Sequence, residues 1–488
     1  RPPPVLTPGG HAHPRRRPAW GGYAGSRPLP PSPHYLEVLR QETSARRHQV
    51  AHPGTGFAGA GDALQRRLER HVDELRQELV ALMLDLGENP ETAFEEHRSV
   101  AALAEVLERH GIEAKVGVYG LETALRAELP ALGEVPADGT AGTIRTVDTD
   151  GDEVPTPTLA VLAEYDALPG LGHACGHNTI AAMGLGAFLA LAALRAEDPT
   201  AVPWRIVLLG TPAEEGHTGK EYMAREGAFD DIDMAVMAHG YGEDVADQLW
   251  IGRRTLTVSF HGHSAHASAQ PFAGRNALDA ASLFYQGLGL LRQQTPPGDR
   301  IHAIIRQGGE QASVIPSFAQ LEVYVRSPAP VTLRDLSSRV EDVAHGAALM
   351  AGTGVTLAWD EHPPSLPVRS NQALTGSWVR AQRRRGREPL PRGVVSETIA
   401  ASTDFGNVSY RIPGMHPLIQ VSESDVALHT REFAAATTSR RGRNAVVDGA
   451  YGLAATLLDV QHDEALAAEV LAEFEAAGGA LDVPGFFD

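Results

Sequence analysis

One cysteine, Cys175, stands in a chain of 488 residues. A single thiol forms no internal disulfide, which excludes a secreted disulfide scaffold. Lysine is almost as scarce: Lys115 and Lys220 are the only two among 42 basic residues. With abundant alanine, that bias reads as high-GC coding, so the arginine content is not taken as phosphate recognition. Positive charge is short overall. The net charge of -19 argues against nucleic acid and against anionic membranes as partners. Long hydrophobic runs are missing too. The apolar stretch from Ile180 to Leu194 falls short of the about 20 residues a membrane span needs, and it is rich in alanine and glycine. No apolar h-region marks a signal peptide near the start, so a cytoplasmic location is the default expectation.

A hydrophobic fraction of 43% and this length predict two folded domains plus a tail. Residues 1–60 are rich in Pro, Arg, His and Gly without periodicity and are expected to be an unstructured tail. From Asp62, Leu64, Leu68, Val72, Leu75, Leu79, Leu82 and Leu86 recur at helical spacing until Asn89-Pro90 breaks the run. A second helix is expected from about Glu95 to His110, then strands near 114–118 and 123–127. The Gly-, Asp- and Thr-rich stretch 132–157 reads as a surface insertion. Leu159–Leu162, Arg205–Leu209 and Met234–Met237 read as buried parallel strands. Residues 253–361 follow a β-α-β-β-α-β order, which suggests a ferredoxin-like α+β unit inserted in the larger one. The expected layout is therefore a catalytic domain over 61–252 and 362–488, interrupted by a smaller domain at 253–361. The fold class is α/β, a mixed sheet flanked by helices.

The chain is organised around the loop Glu164-Tyr-Asp-Ala-Leu-Pro-Gly-Leu-Gly-His-Ala-Cys-Gly-His-Asn178, between a buried strand and an apolar helix. Ligands gather at the carboxyl ends of strands in open α/β sheets. Cys175 and His177, two residues apart on a turn, can face one cation. Two further strand ends carry Thr211-Pro-Ala-Glu-Glu215 and Ala238-His239-Gly240. Adjacent carboxylates repel unless a cation relieves them. Glu215 is therefore assigned to metal and Glu214 to general-base work on a substrate water. His239 and the distant His429 complete the candidate ligands. Thiolate, imidazole and carboxylate together suit zinc, with manganese, cobalt or nickel as alternatives. His173 is read as structural or supporting. Asp166 is either a turn residue or a carboxylate that orients His177.

These residues together resemble the peptidase M-20 family, in its amidohydrolase branch. The likeness runs from about 62 to 460 and includes Asn89-Pro-Glu91, Gly172-His-Ala-Cys-Gly-His-Asn178, Gly262-His-Ser-Ala-His-Ala267, Ser402-Thr-Asp-Phe-Gly-Asn-Val-Ser409 and His429-Thr430. The resemblance implies two divalent metal ions per chain. Cys175 would bridge them, and His177, Glu215, His239 and His429 would complete the set. It implies a homodimer formed through the inserted domain. His266 would reach a neighbouring active site to steady an oxyanion, and Asn276 and Arg326 would grip a substrate carboxylate. The implied reaction is hydrolysis of the amide of an N-acyl amino acid, an aminobenzoyl-glutamate-like conjugate or a dipeptide. The alternative is a catalytically silent member that binds without turnover. Ser313 departs from the family pattern, which has Asn before Val-Ile-Pro.

Overall fold

The computed structural model describes residues 33–47, 56–132, 146–147, 153–154, 156–398 and 400–487. The chain divides into two units, 1–48 and 49–488. In the first, helix α1 (His34–Arg47) replaces part of the unstructured tail expected there. Its residues lack apolar periodicity, but Leu, Glu, Gln and Arg are good helix formers. Arg46 also reaches Glu42 one turn back at 3.0 Å. The rest of the expected tail up to residue 55 lies outside the described residues.

Order in the second unit begins before Asp62. The backbone N–H groups of Gly59 and Ala60 donate to Asp463 at 2.8 Å and Asp459 at 2.7 Å. Helix α2 (Asp62–Glu88) buries Leu68, Val72, Leu75, Leu79, Leu82 and Leu86 as one stripe, and α3 (His97–Arg109) follows. The strands β1 (Ala114–Val116), β2 (Leu125–Leu129), β5 (Thr158–Glu164), β6 (Arg205–Thr211), β7 (Met234–Val236) and β13 (Gly414–Met415) form one sheet in the order β1-β2-β6-β5-β7-β13. β2 runs antiparallel to both its neighbours, β1 and β6, and the remaining pairings are parallel, as in a mixed sheet. Most of the expected insertion lies outside the described residues. Its two short strands, β3 (Thr146–Val147) and β4 (Glu153–Val154), pair antiparallel.

Helix α4 (His177–Glu197) starts at the carboxyl end of β5 and packs against α2, β5 and α11 (Arg440–His462). It is long and apolar enough to cross a membrane, yet 78% of its most apolar window is buried inside the protein. That burial on all sides explains its lack of amphipathicity. Helix α8 (Gln372–Arg384) has no counterpart in the sequence reading. Its buried Ala373, Leu374, Trp378 and Ala381 are thinly spread among arginines.

A second, antiparallel sheet has the order β10 (Arg300–Gln307), β11 (Phe318–Ser327), β9 (Gly252–His261), β12 (Gly354–Trp359). Helices α6 (Ala277–Leu291) and α7 (Pro330–Ala351) cover one face over Leu256, Val258, Phe260, Leu321 and Val323. The β-α-β-β-α-β order read from the sequence is the order found. The other face of this sheet, carrying Arg253, Tyr324 and Arg326, turns toward the strand ends of the first.

Candidate metal and active site

Each strand end is turned sharply to aim its side chain. After β5, Gly176 takes φ +91°, a left-handed conformation open to glycine, and α4 begins at His177. After β6, Ala213 and Thr218 hold φ 58° and 61°, and His429 holds φ 62°. Non-glycine residues pay about 1–3 kcal/mol for such backbone, and it clusters at ligand sites. His239 leads the short strand β8 (His239–Tyr241), which pairs in parallel with β14 (Leu418–Gln420). His429 lies between β14 and α10 (Arg431–Thr437), its N–H held by the Ala174 carbonyl at 2.9 Å.

These turns bring together all six residues assigned from the sequence to metal and base. Cys175 Sγ lies 3.5 Å from His239 Nε2. His239 Nδ1 is bonded to the Gly240 carbonyl at 2.7 Å, which fixes the proton there and leaves Nε2 bare toward the thiol. His177 Nδ1 meets Asp166 at 2.9 Å. Its Nε2 faces Glu164 at 3.5 Å and Glu214 and Glu215 at 3.9 Å each. His429 Nε2 is 3.8 Å from Glu215.

The donor atoms form three sets, each within 4.8 Å: Cys175, His177 and His239; Cys175, Glu215 and His429; His177, Glu214 and Glu215. Cys175 belongs to two of them. Three buried atoms of this cluster, His177 Nε2, Glu215 Oε1 and Glu164 Oε2, have no hydrogen-bond partner among the described residues. Buried polar atoms are rarely left so, and several converging on one point fit a cation. The donor set fits divalent metal ions of the zinc type.

Electrostatics agree. Burial, and then Glu164, Glu215 and Asp404, push Glu214 well above the usual carboxylate range. Burial also raises Glu215, against the pull of His177. The Cys175 thiol is raised by burial and by Glu215. For His177 burial opposes the charge, but Asp166 and Glu164 outweigh it and hold the imidazole well above its ordinary value. His239 is lowered to about 4 by burial and by His177, so it is a neutral ligand. The pocket without a cation is thus short of positive charge, and a divalent ion reverses this by favouring thiolate and carboxylate.

One oxygen of Asp166 holds His177 and the other accepts the Glu215 N–H at 2.8 Å, so it ties together two of the candidate ligands. His173 belongs to none of the sets. It accepts the Asn178 N–H at 3.2 Å.

A layer beneath escaped the sequence reading. Lys220, on α5 (Gly219–Arg225), is fully buried between Glu164 and Asp404, 2.6 Å from the latter. Close packing holds the helix in place: a Cβ on Gly219 would lie 1.8 Å from the Pro212 carbonyl oxygen. The available signals were the scarcity of lysine and the Thr403-Asp404 pair within a quoted motif. Neither says that the two meet across 184 residues. Glu96, also buried, accepts from Thr123 at 2.7 Å and the Ala213 N–H at 2.9 Å, and burial and Asp166 raise it to about 7.

The cluster forms the floor of a cavity of about 520 Å³, whose opposite wall carries Arg253, Arg300, His302, Tyr324 and Arg326. Arg326, the residue expected to grip a substrate carboxylate, lines this cavity. His266 and Asn276 do not line this cavity. His266 Nδ1 accepts the N–H groups of Ser268 and Ala269 at 3.2 Å, and Asn276 caps α6 through Leu278 N at 2.9 Å.

Residues 147–447 match the peptidase family M20/M25/M40. The chain is 37% identical over 428 residues to the Xaa-Arg dipeptidase of Mus musculus, covering 87% of this chain and 95% of that one. It is 27% identical to one component of the p-aminobenzoyl-glutamate hydrolase of Escherichia coli K12, covering 84% and 95%. Its fold is similar to that of a dinuclear metal binding peptidase from the M20 family of Bacillus subtilis, with a TM-score of 0.59 at 19% identity over 79% of this chain and 99% of that one. The chain belongs to the peptidase family M20/M25/M40.

Proposed function

We propose that this M20 hydrolase cleaves the amide of a small substrate bearing a free carboxylate, a dipeptide or an N-acyl amino acid, with two divalent ions held by Cys175, His177, Glu215, His239 and His429. The observation that carries the reading is the convergence of these donors with Glu214 at one cavity, in three overlapping sets that share Cys175, His177 and Glu215. The name of the mouse relative supports a dipeptide, and that of the Escherichia coli relative a glutamate conjugate. When bound, such ions polarise a carbonyl and lower the pKa of a water to near neutrality.

The protein's own part follows from its geometry. Glu214 takes the proton of the attacking water and passes it to the leaving nitrogen as the C–N bond breaks. Asp166 keeps His177 in one tautomer and orientation. Arg326 engages the substrate carboxylate. His266 and Asn276, which do not line their own chain's cavity, are assigned on the family likeness to the neighbouring site of a homodimer, His266 steadying the oxyanion. The test is hydrolysis of a panel of dipeptides, N-acyl amino acids and aminobenzoyl-glutamate by metal-loaded protein. Chelator-sensitive turnover is expected. A Glu214→Ala variant that keeps its metal and full activity contradicts the reading.

A further inference from the structure

The cavity wall opposite the metal cluster is built in a way one carboxylate does not explain. In the second sheet Arg300 pairs directly with Arg326, and Arg326 with Arg253. Directly opposed residues of antiparallel strands share a face, so the three arginines stand on one rung across β10, β11 and β9, with Arg326 in the middle. Burial alternates along β9 and β11, with Leu256, Val258, Val323 and Val325 on the helix-covered face. The arginines therefore project from the open face, where all three line the cavity.

Like charges directly opposite one another destabilise a sheet. Asp299 acts on Arg300 and Asp360 on Arg253, but none of the three arginines forms an ion pair among the described residues. Arg253 donates to the Gly216 carbonyl at 3.2 Å and the Thr218 hydroxyl at 2.9 Å, and Arg300 to the Pro297 and Asp299 carbonyls at 2.6 and 2.8 Å. Arg326 has no hydrogen bond or ion pair among the described residues, only the Tyr324 ring at 5.2 Å, which Arg253 also approaches at 5.9 Å. Burial, and then Arg253, lower the pKa of Arg326. The nearby carboxylates are committed elsewhere: Glu214 and Glu215 face His177, and Asp404 holds Lys220.

We propose that this arginine rung selects substrates whose leaving group is a dicarboxylic amino acid, glutamate or aspartate, with the side-chain carboxylate bound by Arg253 beside the α-carboxylate on Arg326. This rests on the amide-hydrolase reading above. The pitch fits: neighbouring strands lie about 4.8 Å apart. The two carboxylates of glutamate, separated by three carbons, lie about 5 Å apart by standard bond lengths. One bidentate arginine satisfies one carboxylate, so a monocarboxylate on Arg326 leaves the neighbouring Arg253 guanidinium without an anion. An arginine leaving group, the kind in the mouse relative's name, would set a fourth cation against the rung.

The test is kcat/KM of the zinc-loaded protein on Ala-Glu, Ala-Gln, Ala-Arg, Ala-Ala and succinyl-alanine. In parallel, calorimetry measures the binding of free glutamate and glutamine to the metal-free protein. Ala-Glu is expected to exceed Ala-Gln and Ala-Arg by at least tenfold, and glutamate to bind more tightly than glutamine. In R253M the Glu-to-Gln ratio should contract toward one. Equal rates on Ala-Glu and Ala-Gln, or a preference for Ala-Arg, overturn the inference and leave the hydrolase reading standing. A preference for succinyl-alanine over Ala-Glu also overturns it, by placing the second anion on the acyl side. If no amide is cleaved, the hydrolase reading fails. The binding comparison then decides alone: tighter glutamate sustains the rung's selectivity, and equal binding ends it.

Discussion

Replacing Lys220 by methionine isolates the layer beneath the metal cluster. Lys220 is 0% exposed, and its partners Glu164 and Asp404 are 1% exposed each. Removing one member of a buried ionic group leaves Asp404 without its counter-charge and Glu164 with only His177 at 3.5 Å, a loss of about 3–5 kcal/mol. Set against total stabilities of about 5–15 kcal/mol, that is a large share. The loss has a pH signature. Burial opposes the lysine's charge, but Asp404 and Glu164 raise its pKa above the ordinary value. Its contribution is thus fully present below the unfolded lysine pKa and is lost only as pH rises through the folded one. In the variant Asp404, which burial already raises, loses the lysine that opposes this, and its protonation relieves the stranded charge as pH falls. The deficit of Lys220→Met should therefore be full at pH 8 and shrink toward pH 5. Urea unfolding of chelator-treated protein at both pH values measures it. The added change Glu164→Gln should recover part of the deficit at pH 8. A deficit below 1 kcal/mol at pH 8, or one independent of pH, refutes the reasoning; about 1.4 kcal/mol is the scale of one pKa unit.

Glu214→Gln should lower kcat by about 10²–10⁴-fold with metal content unchanged, because only proton transfer is removed; elemental analysis beside steady-state kinetics checks both. Asp166→Asn should weaken metal affinity by about 10–100-fold, read by competition with a chromogenic chelator, since two ligands lose their common anchor. Glu96, raised to about 7 by burial and Asp166, loses stability as pH climbs from its unfolded value through 7. Relative to the wild type, Glu96→Gln should therefore gain stability between pH 5 and pH 8; a difference flat with pH contradicts this.

What the sequence made legible was local. The loop from Glu164 to Asn178 carries a strand, a turn and a helix start within one stretch, so Cys175 and His177 could be placed from spacing. The Glu214-Glu215 pair and His239 could be placed from the strands that precede them. The layer beneath was not legible, because Lys220, Glu164 and Asp404 meet only through tertiary packing, across separations of 56 and 184 residues. The arginine rung was hidden for a related reason. Arg253, Arg300 and Arg326 share a face only through the registers of β9, β10 and β11, and strand register is a property of pairing, not of any one segment. Helix α1 went unread because its support comes from charged pairs and propensity, without an apolar stripe.

The central claim is that the donors gathered on Cys175 hold two ions. Elemental analysis of protein reconstituted with zinc and then dialysed tests it directly, with Cys175→Ala measured alongside. The account predicts close to two zinc ions per chain, falling below one in the variant. Less than one ion per chain in the wild type, or two in the variant, contradicts it.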